Sequence, residues 1–242
     1  MDNGNACPLI VIPALNEERT VGDVVRSLHA LNYTVLVVND HSSDGTSLAA
    51  AAATVIDLPI NLGVGGALKV GFRYALDHGF SSVVQIDADG QHPVHQISNL
   101  ISAANSSGAH LVIGSRYLSA DTTLNPTLPR RLSMWGLSRL ASRLAGIRLT
   151  DTTSGFRLIQ QPLLQSFADE FPSYYLGDTF EATIAALRGG YKVIEIPASL
   201  SPRIHGKSSV STMQAMKLVA KVLVIALTGL HPQVRKLREY VE

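Results

Sequence analysis

The 242-residue chain has one cysteine, Cys7. That scarcity excludes an internal disulfide and any cysteine-built zinc cage, and it fits a reducing compartment such as the cytosol. Charge is also sparse, at 16% of residues with a formal net charge of +1 at pH 7, so a nucleic-acid binder driven by bulk positive charge is not expected. No segment reaches the roughly 20 apolar residues needed to cross a bilayer. The opening residues, Met1-Asp2-Asn3-Gly4-Asn5, carry neither a basic nor a long apolar stretch, so no secretory leader is expected. What the chain does have is apolar material: 46% hydrophobic residues, enough for the core of one large domain with at most a small appendage.

Apolar runs and helical periodicity alternate through the first two thirds. Leu9-Ile10-Val11-Ile12 is a short β-branched run stopped by Pro13, which reads as a strand buried on both faces. Val21, Val24, Val25, Leu28 and Leu31 then fall at helical spacing. Further strands are expected at 33–38, 55–58, 83–86 and 111–113, with helices at 46–53, 67–78 and 94–107. This alternation predicts an α/β fold with a doubly wound, mostly parallel, Rossmann-like sheet, whose ligands sit beyond the carboxyl ends of the strands. A basic helix at 129–146, a loop at 150–157, a helix at 178–188 and a strand at 192–196 are expected to follow.

The residues suited to chemistry stand after those strands. In Ile86-Asp87-Ala88-Asp89-Gly90-Gln91-His92, two aspartates lie two apart at a strand end, which in extended backbone puts them on one side. Such a pair is repulsive unless a cation intervenes, and hard oxygen ligands suit Mg²⁺ or Mn²⁺ with substrate phosphate oxygens. A turn in which the aspartates cap the next helix accounts for the same residues equally well. Asp40, at the end of the second strand, is placed to accept an N–H from a nucleotide base, while Asp44 reads better as a cap of the following helix. Asn61-Leu62-Gly63-Val64-Gly65-Gly66 is not a dinucleotide fingerprint, because neither its spacing nor its position after the first strand is right. His92 reads as a turn residue.

Taken in order, Val11-Ile12-Pro13-Ala14-Leu15-Asn16-Glu17-Glu18, residues 40–46, 61–67 and 87–93, Gly114-Ser115-Arg116-Tyr117, and Asp151-Thr152-Thr153-Ser154-Gly155-Phe156-Arg157 resemble the family 2 glycosyltransferases of GT-A fold. The resemblance spans about residues 8–210 and is strongest to the dolichyl-phosphate mannose synthase-like, polyprenyl-phosphate sugar synthases. It implies a GT-A domain over 1–210 and an appendage over 211–242. It also implies a donor site of Pro13, Ala14, Leu15, Asn16, Glu17, Asp40, Asn61, Gly66, Asp87, Ala88, Asp89 and Gln91. Asp87, Asp89 and Gln91 match metal and diphosphate positions, and Arg116, Arg131, Arg203 and Lys207 match basic positions near phosphates. Asp89, Arg116 and Asp178 are the expected catalytic residues, although Asp178 is equally well placed as a helix N-cap. Asn39 and His41 depart from the pattern, standing where many relatives have Asp and Gly.

The resemblance implies inverting transfer of a sugar from a GDP- or UDP-sugar to polyprenyl phosphate, helped by Mg²⁺ or Mn²⁺. A hydroxyl acceptor, or a silent sugar-nucleotide binding module, are the rival readings. At 212–230 the positions Met213, Met216, Ala220, Leu223, Leu227 and Leu230 form an apolar face. After Leu200 there are seven Lys or Arg against two Glu, which fits an amphipathic helix lying on an anionic membrane surface. The expected location is therefore cytoplasmic and peripheral on the inner face of the membrane, with an ordinary core or homo-oligomer contact as the other use for that helix.

Overall fold

The computed structural model describes residues 7–118, 139, 149–171, 178–199 and 234–240. Seven strands form one sheet among these residues: β1 (Leu9–Ala14), β2 (Val35–Asn39), β3 (Thr54–Asp57), β4 (Ser82–Gln85), β5 (Leu111–Ser115), β6 (Arg157–Gln160) and β7 (Val193–Pro197), in the order β3-β2-β1-β4-β6-β5-β7. Only β6 runs against its neighbours, pairing antiparallel with both β4 and β5. The helices are α1 (Val21–His29), α2 (Thr46–Ala49), α3 (Gly63–Asp77), α4 (Ile97–Ser107), α5 (Leu163–Asp169) and α6 (Asp178–Arg188).

The sheet is apolar on both sides because helices cover both sides. Leu9 and Val11 face one core with Leu68 and Phe72 of α3, Phe167 of α5 and Ala185 of α6. Ile10 and Ile12 face the other core with Val25 and Leu28 of α1 and Leu100 of α4. Alternate residues of β1 thus feed opposite layers, the doubly wound arrangement expected from the sequence. Close packing of α3 on β1 depends on Gly71, where a Cβ would stand 2.4 Å from Val11 Cγ1.

Three expectations change. Residues 46–53 are helical only over Thr46–Ala49, and α3 starts at Gly63, so the glycine-rich stretch lies inside the helix rather than ahead of it. The third change is larger. Arg157 does not end a loop but opens β6, and α5 follows it. Four residues beginning with arginine give no period-2 signal, so local pattern hides a strand whose place is set by β4 and β5 on either side.

The basic helix at 129–146 lies outside the described residues except for Arg139, and the amphipathic helix at 212–230 lies wholly outside them. Among the described residues no helix is long and apolar enough to cross a membrane. Part of the expected appendage returns to the body. Val234 is buried in the core, Leu237 donates its N–H to Gly189 O at 2.9 Å, and the Tyr191 hydroxyl donates to Arg235 O at 2.7 Å. Arg235, expected among the membrane-facing charges, stands 3.6 Å from Glu239 and over the Tyr240 ring.

Candidate active site

The loops after β1 and β2 clasp each other. Asp40, buried at the end of β2, donates its backbone N–H to Ala14 O at 2.8 Å, and its Oδ1 accepts the Leu62 N–H at 2.7 Å. Asn16 adopts φ 57°; its N–H goes to Ser42 Oγ at 2.9 Å and its Oδ1 accepts the Ser43 N–H at 2.9 Å. Glu17 donates its N–H to Thr46 Oγ1 at 2.8 Å, and Glu18 Oε2 accepts the Gly45 N–H at 2.9 Å. Pro13 and Ala14 belong to β1, while Leu15 is exposed on the rim. Asn61 reaches the Asp40 carbonyl with Nδ2 at 3.3 Å and accepts the Gly63 N–H at 3.1 Å.

Several of these positions behave as the sequence suggests, and some do not. Asp44 Oδ1 accepts the Thr46 N–H at 3.0 Å, the expected structural part. Burial pushes its carboxyl up, but the Thr46 hydroxyl and neighbouring N–H groups outweigh that and hold it below the usual range. Asn39 turns away from the rim, donating to Asp57 Oδ1 at 2.7 Å and accepting the Ser42 N–H at 3.2 Å. Gly66 is a packing residue: a Cβ there would meet Leu62 Cβ at 2.4 Å.

The segment after β4 carries the two aspartates. Asp87 keeps its side chain 44% exposed, whereas Asp89 is buried and accepts the Gln91 N–H at 3.0 Å; Ala88 is buried between them. His92 is buried against Phe156, with ring centroids 5.5 Å apart, and its Nδ1 accepts the Asp87 backbone N–H at 3.0 Å. A neutral imidazole accepting at Nδ1 carries its proton on Nε2, which stands 3.6 Å from Asp87 Oδ2. His92 is therefore a turn residue that fixes Asp87. Asp87 also rests on the loop before β6, since a Cβ on Gly155 would lie 2.6 Å from Oδ1 and 2.8 Å from Oδ2.

That loop is held by a network the sequence did not disclose. Glu195 on β7 accepts the Thr150 N–H at 2.7 Å, the Thr150 hydroxyl at 2.6 Å and the Asp151 N–H at 2.8 Å. The fully buried Asp151 carboxylate takes Arg116 Nε at 2.6 Å and Nη2 at 2.7 Å, while Nη2 also reaches Thr153 Oγ1 at 2.7 Å. Burial pushes the Asp151 carboxyl up, yet the Arg116 fork outweighs burial and holds it below the ordinary range. Arg116, expected at phosphate, thus commits two of its nitrogens to bracing the loop. Arg157 is completely buried and donates to Ser154 O, Thr152 O, Thr179 O and Thr183 Oγ1 at 2.6–3.0 Å. Burial lowers its pKa to about 10, so the guanidinium stays charged at neutral pH. One sequence signal was available for Glu195, a charged residue in an otherwise apolar strand.

No cluster of three or more His, Cys, Asp or Glu suited to a metal occurs among the described residues. The donor set still fits a hard cation. Asp87, Asp89 and the Gln91 amide oxygen offer oxygen ligands only, and Mg²⁺ or Mn²⁺ completes its shell from water and phosphate. Arg131, Arg203 and Lys207 lie outside the described residues, as does the side chain of Asp178, the first residue of α6.

The strand ends therefore bring Asp40, Asp87 and Asp89 to one edge of the sheet, on a fold that recurs in solved enzymes. Mannosyl-3-phosphoglycerate synthase from Rubrobacter xylanophilus superposes with a TM-score of 0.70 at 20% identity, over 96% of this chain and 77% of that one. In sequence, the chain is 31% identical over 213 residues to the undecaprenyl-phosphate mannosyltransferase of Micrococcus luteus, covering 84% of this chain and 87% of the relative. It is 30% identical over 235 residues to the polyprenol monophosphomannose synthase of Mycolicibacterium smegmatis, covering 91% and 87%. The family model for glycosyl transferase family 2 matches residues 9–167, and the chain belongs to that family.

Proposed function

We propose that this glycosyltransferase moves one sugar from a nucleoside diphosphate sugar to polyprenyl phosphate, with inversion at the anomeric carbon. The observation that carries the reading is the placement of Asp40, Asp87 and Asp89 beyond two strand ends, those of β2 and β4, on one sheet edge, in a chain matched along most of its length by two enzymes named for this acceptor class. Asp40 and the loop at 13–17 take the base and ribose, with Asn61 holding the Asp40 backbone in place. The diphosphate lies towards Asp87, Asp89 and Gln91.

A phosphate acceptor is anionic near neutral pH and needs no base to become a nucleophile. Its oxygen forms the bond to the anomeric carbon while the bond from that carbon to the diphosphate breaks, and the electron pair leaves on the nucleoside diphosphate. The protein's task is then to align the two reactants and stabilise the departing charge. Asp87, Asp89 and Gln91 would hold Mg²⁺ or Mn²⁺, which supplies Lewis-acid stabilisation of the leaving diphosphate. Arg131, Arg203 and Lys207 add positive charge around the phosphates, and Asp178 is kept as the base that a hydroxyl acceptor would require. Residues 212–230 lie on the cytoplasmic face of the membrane, where a lipid phosphate is confined to the headgroup layer.

Incubating the protein with GDP- and UDP-sugars and short polyprenyl phosphates, with Mn²⁺ present, should give a lipid-linked sugar separable by chromatography. Transfer confined to hydroxyl acceptors would overturn the acceptor, and nucleotide binding without turnover would leave a sugar-nucleotide binding module.

A further inference from the structure

We infer that Arg157 is a positioning residue whose guanidinium, spread over Thr152 O, Ser154 O, Thr179 O and Thr183 Oγ1, sets Gly155 beneath the Asp87 carboxylate and so fixes where the donor diphosphate is held. The inference rests on the donor reading given above. Arg157 pairs in register with Gln85, the last residue of β4, and with Ile113 of β5, so it stands in the middle of the sheet directly under the strand end that leads to Asp87.

A charged side chain in that place is costly unless every donor is used, and an apolar residue would serve the sheet better. None of the four acceptors is a carboxylate. The guanidinium instead gathers two carbonyls of the loop before β6 and two oxygens of α6, elements 22 to 26 residues away from it on one side and 3 to 5 on the other. A planar fork with fixed donor directions can hold four oxygens from two elements at set heights, whereas a lysine ammonium of similar charge cannot span them. The loop height matters because the Asp87 carboxylate packs on the bare α-carbon of Gly155 with no room for a methyl group. Release of Thr152 O and Ser154 O lets Gly155 move and takes that floor away. Burial of the guanidinium also leaves it unable to touch substrate, so its influence passes through the loop.

The test measures binding of GDP and UDP, and of guanosine and uridine, by calorimetry with and without Mn²⁺, in wild type, Arg157→Met, Arg157→Lys and Thr183→Val. The wild type should gain affinity for its nucleoside diphosphate when Mn²⁺ is added. Arg157→Met should lose that gain by about 10-fold or more, the scale on which partners of metal ligands act. Nucleoside affinity, set by the Asp40 pocket on the far side of β1, should be unchanged. Arg157→Lys should fail to restore the gain, because charge without the fork does not hold the loop. Thr183→Val removes a single acceptor at near-constant volume and keeps the question open to measurement if the arginine variants do not fold; it should show a smaller loss of the same kind. A wild-type gain in Arg157→Lys or Thr183→Val would overturn the inference, as would nucleoside and diphosphate affinities falling together with melting temperature. A wild type that binds a nucleoside diphosphate with Mn²⁺ but transfers no sugar would overturn the proposed reaction and leave the Arg157 inference standing. Failure to bind any nucleoside diphosphate would overturn both.

Discussion

The two sides of the sheet edge are built from different materials. Around β1 and β2 the loops are joined by single hydrogen bonds between side chains and backbone: Asn16 to Ser42 and Ser43, Glu17 N–H to Thr46, and the Leu62 and Gly45 N–H groups to the Asp40 and Glu18 carboxylates. Around β4 to β7 the loop at 150–156 is instead held by buried and half-buried ionic side chains, with Arg116 on Asp151, Glu195 under Thr150 and Arg157 beneath Ser154. Such bonds are each worth about 0.5–1.5 kcal/mol, or about 1.5–3 kcal/mol to a carboxylate, whereas breaking a buried ion pair costs about 3–5 kcal/mol. The nucleoside side should therefore tolerate single losses, and the diphosphate side should not.

Asp151→Asn gives the comparison its hardest test. The substitution leaves the Arg116 guanidinium, 17% exposed, without its carboxylate, and a loss of about 3–5 kcal/mol is expected. The effect should depend on pH in a set direction. A carboxyl held below its unfolded value contributes stability above the ordinary carboxylate pKa, and that contribution disappears as pH falls through the folded pKa. Wild type and Asp151→Asn should thus differ in denaturant midpoint at neutral pH and converge in acid. A constant difference down to pH 2 would show that the ion pair is not what the loop depends on.

Asp89→Ala comes next. It removes a buried carboxylate at the strand end without touching the Asp151 network, and turnover should fall by about 10²–10³-fold, the scale seen when one group aimed at developing charge is deleted. Melting should stay near wild type. Unchanged Mn²⁺-dependent nucleotide binding in this variant, read by calorimetry, would remove Asp89 from the diphosphate site.

Gly155→Ala separates position from stability. The three atoms nearest the new methyl group all belong to the end of the Asp87 side chain, which can swing aside at small cost to the fold. The carboxylate is then displaced from its place, and activity should drop by about 10–100-fold with little change in melting temperature. Wild-type turnover in Gly155→Ala would show that the Asp87 position above the loop is not needed.

These two sides also differ in how legible they are from sequence. The β-branched run at 9–12, the helical spacing from Val21 to Leu28 and the aspartates after β2 and β4 are local patterns, and the parallel half of the sheet follows from them. Asp40 and Asp87 announce themselves by standing where an apolar run stops. The ionic braces give no such pattern: Glu195 stands out in its apolar strand, but its partner does not, because Thr150 and Glu195 are 45 residues apart and Arg116 and Asp151 are 35 apart. β6 hides for the same reason: its pairing with β4 and β5 is a property of the assembled sheet, and Arg157 breaks the apolar run that would have marked a strand. Gly66 shows the limit from the other direction, since glycine beside a ligand loop and glycine under a leucine look alike in sequence.

The smallest effect is expected at Ser42→Ala, and it sharpens the comparison from the tolerant side. Ser42 Oγ accepts the Asn16 N–H at 2.9 Å, and its hydroxyl donates to Asn39 Oδ1. Removing it leaves the Asn16 N–H at the open rim, where water can replace the lost bond, while the buried Asn39 Oδ1 still accepts the Ser42 N–H, so the stability change should be about 0.5–1 kcal/mol. Asn16 stays at φ 57°, a conformation asparagine tolerates better than most residues, and its Oδ1 still accepts the Ser43 N–H. The donor KM should rise only a few-fold, with kcat unchanged, because in the proposed reading the loop at 13–17 takes base and ribose and has no part in charge development. The steady-state split is the measurement that decides. A fall in kcat comparable to that of Gly155→Ala would mean that the hydrogen-bonded clasp transmits to the diphosphate side as strongly as the ionic braces do, and the division between the two halves of the edge would no longer hold.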